Sequence, residues 1–387
     1  GYIYDYYDKK ELLDEVKPRY LKARKKEKGQ ILDELCLNTG YARKYAINIL
    51  QAGCDYRRVQ REGRKKRKKI YGATTLVAVI RIWEFLEYPC GLRLKPVLVS
   101  TAEALERFNE IELDESVKND LRKISAKTLD RRLRKERQIR RLNRNRGATR
   151  HGSLLKSSIP IRITNWDTKE VGFMEMDTVA HNGGNPSGEH IWSLDLVEIC
   201  SGWSEQLAVL GKSEYGIVKA INQVKDTVPF DVLGFDSDGG SEFINWHMVR
   251  YCEKNDVLFT RSRPDSKNDN AYVEQKNYTH IRQWLGYGRY DTMEQLTSIN
   301  DLYRNELRLF SNFFRPVMKI ESKEKINNSV YRKRYDTART PYQRLMECSR
   351  ISEAKKEELQ TMYLSLNPAK LKRGIDQKIK KIRQTGK

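Results

Sequence analysis

Long apolar runs are missing from this sequence. No stretch of about 18 residues is apolar enough to span a bilayer, and no N-terminal segment has the order of a signal peptide. The expectation is an intracellular, cytoplasmic chain with no membrane partner. Cysteine is sparse and scattered: Cys36, Cys54, Cys90, Cys200, Cys252 and Cys348 form no CxxC pair, and none has a histidine at finger spacing. That argues against a zinc module and for reduced core thiols. The five histidines are equally dispersed. Neither a Ser-His-Asp nor a Cys-His spacing competes for covalent chemistry, and without a P-loop there is no support for ATP-driven strand motion. Acidic charge is also short, with 52 Asp and Glu against 74 Lys and Arg, a net charge of +22. Such an excess points to a polyanionic partner, nucleic acid first and an anionic membrane surface second.

At 387 residues the chain exceeds one usual core, so two to four domains are expected. Residues 8 to 50 alternate helical patterns with short breaks. Leu12, Val16 and Leu21 mark one helix, and Ile31, Leu32 and Leu35 a second. Thr39 and Gly40 supply the turn before a third, whose apolar side is Ala42, Tyr45, Ala46 and Ile49. This is helix-turn-helix grammar, although any three-helix core reads similarly. From Arg57 to Lys69 there are nine basic residues and one acid, Glu62. A charged run is often a solvated face, but this density with no apolar period favours a phosphate-tracking linker.

The helical grammar repeats over residues 72 to 142. "TTLVAVIRIWEFL" and "VLVSTAEALERF" read as two helices, and "ISAKTLDRRLRKERQIRRL" as a third capped by Ser125. Lys127, Arg131, Arg132, Arg134 and Lys135 follow the cap, as on a recognition helix. The segment "RLNRNRGATRHGSLLK" reads as extended. From Ile159 the pattern turns to β, with strands in "GFMEMDTVAH", "HIWSLDLVEI" and "WSEQLAVL" and Gly202 in the second turn. Helix and strand then alternate through "SEYGIVKAINQVKDTV", "DVLGFDSD", "NWHMVRYCEKN" and "VLFTRS" to the helical "NDNAYVEQKNYTHIRQWL". An antiparallel meander followed by alternation predicts an α/β mixed sheet with helices on both faces. Short strand candidates follow residue 310, and residues 352 to 380 form a Lys-rich helical tail.

Several acids interrupt the apolar strands: Glu175, Asp177, Asp195, Asp236 and Asp238. Singly, each is most simply a solvent-facing or capping residue. Together, Asp177, Asp238 and Glu274 come from two strands and a helix, with 35 residues between the last two. Hard carboxylate oxygens suit Mg²⁺. Two such ions activate an attacking oxygen and stabilise a leaving one in phosphodiester chemistry.

The span "MDTVAH … LGFDSDGGSEF … SRPDSKNDNAYVEQKN" resembles the catalytic core of DDE transposases and retroviral-type integrases, a ribonuclease-H-like fold, and the flanks look like a bacterial insertion-sequence transposase. The resemblance places the three acids on Asp177, Asp238 and Glu274. It departs from retroviral integrases in lacking a His-His-Cys-Cys module, and Gly239 stands where relatives often have asparagine. What it implies is a polynucleotidyl transferase using Mg²⁺, with Mn²⁺ as substitute, that frees 3′-OH ends of transposon DNA and joins them to target DNA. It further implies double-stranded DNA as partner, a homodimer or homotetramer on that DNA, and nucleoid association when bound. Asn270, Asn277 and Ile281 share the face of Glu274, while Lys267 and Lys276 are phosphate candidates. Asp265 and Asp269 read as loop and helix-start residues.

The expected division runs as follows: a helix-turn-helix domain over 1–56, a basic linker over 57–70, a second helical DNA-binding domain over 71–140 and an extended basic linker over 141–164. The ribonuclease-H-like core covers 165–290, a helix with a small β domain covers 291–350, and a basic helical tail covers 351–387. A metal-dependent endonuclease without strand transfer, or a non-catalytic DNA-binding protein of the same fold, are the rival readings.

Overall fold

Leu13, Tyr20, Ile31, Leu32, Leu35, Ala46 and Leu50 close a small core of their own. They belong to α1 (Tyr6–Lys22), α2 (Lys25–Thr39) and α3 (Arg43–Gln51). The computed structural model describes residues 6–51, 70–140, 170–211, 214–237, 242–255, 257–261, 277–325 and 331–385. The chain divides into two units, Gly1–Ile70 and Tyr71–Lys387. In the first, α2 ends where Gly40 takes φ +71° and its N–H reaches Cys36 O, the turn expected from the sequence. The apolar stripes are shifted from expectation. Leu21 is exposed while Leu13 and Tyr20, seven apart, face inward. In α3 the stripe is Ala46 and Leu50, one turn apart; Ala42 and Tyr45 are exposed, and Tyr45 rests edge-on against Tyr41. The basic cluster over 57–69 and the segment 141–169 lie outside the described residues.

The second unit begins with α4 (Ala73–Phe85), α5 (Gly91–Arg107), α6 (Glu115–Lys123) and α7 (Ala126–Ile139). Helix α6 escapes sequence reading because only Val117 and Leu121, one turn apart, are apolar enough to be buried. Its C-terminal carbonyls are satisfied from outside, by Lys95 Nζ donating to Leu121 O at 3.0 Å and Arg122 O at 2.6 Å. Ile124 and Ser125 alone separate α6 from α7, and Ser125 Oγ accepts from Thr128 N at 3.3 Å as the expected N-cap. The start of α5 lies against α7 so closely that a Cβ on Gly91 would meet Ala126 O at 2.1 Å. Gly91 N–H donates to Asp130 Oδ1 there, at 2.8 Å.

The sheet comprises β1 (Phe173–Ala180), β2 (Ile191–Glu198), β3 (Ser204–Leu210), β4 (Gly234–Ser237) and β5 (Leu258–Arg261), in the order β3-β2-β1-β4-β5. β1, β2 and β3 pair antiparallel, while β4 runs parallel to β1 and β5 parallel to β4. Gly202 makes the β2–β3 turn at φ +77°. α8 (Glu214–Thr227) connects β3 to β4, and α9 (Glu242–Lys254) connects β4 to β5. This is the predicted meander followed by alternation. One face is largely apolar: Met174, Met176, Leu194, Leu196, Leu207, Phe235 and Phe259 are all buried and share strand parity, with Glu198 and Glu205 buried toward the β2–β3 turn.

After Leu285 a nearly continuous rod runs along the β3 edge: helix Met293–Leu302, a π-helical segment Tyr303–Leu307 and helix Arg308–Phe313. Two asparagines on it stand in for a neighbouring strand. Asn300 Nδ2 donates to Ala208 O, and its Oδ1 accepts from Ala208 N, both at 2.9 Å. Asn312 does the same to Ser204, at 2.8 and 2.9 Å. A primary amide carries one donor pair and one acceptor, so each side chain satisfies both backbone groups of an edge residue. The small C-terminal β region is a hairpin of β6 (Ile320–Lys325) and β7 (Tyr331–Tyr335).

The Lys-rich tail is helical as expected, over Glu353–Ser365 and Pro368–Gln384. The last helix buries Leu371, Ile375, Ile379 and Ile382. Its charges tie it to separate parts of the unit: Arg373 to Glu110, Lys372 to Glu87, and Lys378 to Asp301 and Glu306. No helix among the described residues is long and apolar enough to cross a membrane.

Candidate active site and basic helix surface

Strand parity places Glu175, Asp177, Val179 and His181 on the sheet face opposite the apolar one. Register then adds their neighbours. Asp195 lies directly across from Asp177 and Gln206 across from Asp195; on the parallel side Asp236 pairs with Glu175 and Thr260 with Asp236. Asp177 is half-buried, and its Oδ1 accepts from Thr178 N at 2.7 Å. Glu175, Asp195, Gln206, Asp236 and Thr260 are all buried. One face of this sheet is therefore a buried polar layer with four carboxylates.

The layer is organised by hydrogen bonds. Thr260 Oγ1 donates to Asp236 Oδ1 at 2.6 Å. Gln206 Nε2 donates to Asp195 Oδ1 at 2.9 Å and contacts His280 Nδ1 at 3.2 Å. The amide has two protons, so it serves both when the His280 proton sits on Nε2. Farther along β2, Ser193 Oγ lies 2.8 Å from His181 Nε2 and 2.7 Å from Tyr303 Oη. Burial pushes the His181 imidazole down to about 3, with Arg282 and His190 adding to it, so this histidine is neutral. Burial likewise raises the Tyr303 phenol.

His280 and Tyr303 both come from π-helical turns, Asn277–Arg282 and Tyr303–Leu307. Such turns carry an extra residue per hydrogen-bonded loop and recur at functional sites. The first packs against β1 and β2, with Arg282 Nη2 donating to Ala180 O at 3.0 Å. Sequence reading missed Gln206, Ser193, His181, His280 and Tyr303. In strand code Ser193 and Gln206 are ordinary polar alternation, and only the register makes them neighbours of Asp195.

Of the three predicted metal ligands, Asp177 lies within this layer, and Asp238 and Glu274 lie outside the described residues. So do Asp265, Lys267, Asp269, Asn270 and Lys276. Asn277 opens the first π-helical turn, and Ile281 is fully buried, a packing residue rather than a contact for a ligand. Among the described residues no group of three or more His, Cys, Asp or Glu is placed to hold a metal ion. The donor chemistry present still suits a hard divalent cation: oxygen ligands, with Asp195 Oδ2 buried and lacking a hydrogen-bond partner.

A second surface lies on α7. Arg132 is engaged with Tyr71 O, Arg137 with Asp130 and Pro89 O, and Arg140 with Glu84 and Glu136. Lys127, Arg131 and Arg134 remain exposed at spacings of four and three, forming one basic stripe. Arg122 and Lys123, also exposed, extend it from the end of α6.

No family model matches the sequence. The uncharacterized protein y4rM of Sinorhizobium fredii is 34% identical over 326 residues, 84% of this chain and 91% of that protein. Among solved structures the chain aligns with the catalytic core domain of BIV integrase at 16% identity, over 50% of this chain and 98% of that one, with a TM-score of 0.27. It aligns with the HTLV-2 integrase catalytic core in complex with magnesium at 14% identity, over 38% and 88%, with a TM-score of 0.27. With the simian T-cell lymphotropic virus intasome the figures are 12%, 56% and 70%, with a TM-score of 0.29.

Proposed function

This chain belongs to the family of the Sinorhizobium fredii protein y4rM, and on the grounds of its own residues we propose that it is a metal-dependent DNA transposase with a ribonuclease-H-like core. The observation that supports this best is the register of β1 and β4. Met176 pairs with Ser237 on parallel strands, and in the sequence an aspartate follows each, Asp177 and Asp238. The carboxyl end of a parallel strand is where mixed sheets display ligand groups, and β4 ends at Ser237. Glu274 precedes by three residues the π-helical turn that packs against β1 and β2.

In this reading Asp177, Asp238 and Glu274 hold Mg²⁺ or Mn²⁺, which when bound activates the attacking oxygen and stabilises the leaving one. The chain's own part is to fix those carboxylates, keep the layer behind them free of bulk water, and grip the DNA backbone. The grip is assigned to the α7 stripe, with α6, its two-residue turn and α7 as the end-reading element. The same reading takes the chain to free 3′-OH ends, join them to target DNA, and act as a homodimer or homotetramer on DNA. The seven-part division expected from the sequence goes with it.

The test is a two-step DNA assay with Mg²⁺ and candidate terminal-end substrates. Asp177→Asn and Asp238→Asn are each expected to keep DNA binding and lose both cleavage and joining. Full joining by either variant overturns the site. Cleavage without any joining by the unaltered chain would assign it to the endonucleases instead. A triple Lys127→Ala, Arg131→Ala, Arg134→Ala variant is expected to lower the slope of log affinity against log salt by about three; an unchanged slope removes α7 from the DNA surface.

A further inference from the structure

Asp195 is a fully buried carboxylate, 0% exposed, lying opposite Asp177 on the same face of the sheet. Residues directly across an antiparallel pair have Cβ atoms about 4.5–5.5 Å apart, near enough for both carboxylates to reach one ion. Its two oxygens are treated differently. Oδ1 is fixed by the Gln206 amide at 2.9 Å, with His280 Nδ1 at 3.7 Å, whereas Oδ2 has no hydrogen-bond partner. A buried carboxylate left half-satisfied is costly unless a charge or donor meets the free oxygen. Among the described residues no Lys or Arg is paired with Asp195, and the basic group beside it, His280 Nδ1, lies at 3.7 Å on the Oδ1 side.

We propose that Asp195 is a further ligand of the divalent-cation site, its Oδ2 meeting the same ion as Asp177. This rests on the metal-dependent reading above. Gln206 is then a positioning residue, which turns Asp195 so that one oxygen is held and the other is presented. The polar character of β2 and β3 on this face follows: two strands supply a ligand and its clamp where an apolar pair would pack as well.

The experiment is Mn²⁺ titration of the full chain by electron paramagnetic resonance, with thermal melts at zero and saturating Mn²⁺. The variants are Asp195→Asn, Asp195→Ser and, as a control, Asp177→Asn. Asp195→Asn is expected to weaken Mn²⁺ by about tenfold or more, to melt without cation at or above the unaltered chain, and to gain less from saturating Mn²⁺. Asp195→Ser gives the same loss of affinity should the amide misfold. If Asp177→Asn loses Mn²⁺ while both Asp195 variants bind it with unchanged affinity, Asp195 is only an anchor for the π-helical turn and the proposal is overturned alone. If the unaltered chain binds no Mn²⁺, the metal-dependent reading falls and takes this proposal with it.

Discussion

His181 is held neutral in a place where an acid titration can find it. Its folded value lies near 3 against an ordinary 6.5. As pH falls below 6.5 the unfolded chain takes up a proton that the folded chain refuses, so this residue's share of stability, fully present above 6.5, is lost toward pH 3. Urea midpoints measured from pH 7 to pH 4 should therefore fall less steeply in His181→Asn than in the unaltered chain; parallel slopes would show that the imidazole titrates normally. At this scale the sequence was partly legible. Asp177 stands out because a charged residue interrupts "FMEMDTV", and Asp195 because it interrupts "WSLDLV". That Gln206 and His280 serve Asp195 was not legible, because the contacts span 11 and 85 residues and depend on a register no local pattern encodes.

Elements were easier to read than their phases. The strands and the helices between them follow from alternation and from Gly202, and Ser125 caps α7 as its type suggests. The phase of α3 was misread because Tyr45 counts as apolar yet finds a ring partner at the surface. The β3 edge was hidden for a different reason: asparagine reads as a loop or cap residue, whereas Asn300 and Asn312 sit within helices and pair with backbone. Asn312→Ala would strand a buried N–H and C=O of Ser204. Its expected cost is about 1–3 kcal/mol for each unsatisfied group, read by urea unfolding. Asn312→Asp should cost at least as much as the alanine, since it buries a carboxylate with one oxygen against the Ser204 carbonyl. A loss below about 1 kcal/mol in Asn312→Ala would mean that the amide is not what holds the rod to the strand.

At the scale of the second unit, the tail helix Pro368–Gln384 is the piece whose role periodicity could not assign. Its apolar stripe is legible, but the partners it finds are not. Arg373 and Asn367 pull the Glu110 carboxyl down to about 2, while Arg383 donates to Trp284 O at 2.9 Å. Ile375→Ala should cost about 2–5 kcal/mol as a buried deletion. A loss below 1 kcal/mol by chemical unfolding would mean that the helix is dispensable.

The same helix has a mechanical consequence. It packs on α4 and α5 at one side and on the segment ending at Leu285 at the other, while α5 is locked to α7 through the missing side chain of Gly91. The stripe on α7 and the turn leading from Glu274 are thus two ends of one caliper. On the proposed reading, the count of base pairs between the sequence that α7 reads and the phosphate that is cut becomes a property of the fold. Terminal DNA lengthened or shortened by two base pairs between those points should bind as before and be cut poorly, and Gly91→Ala should blur the cut over neighbouring phosphates.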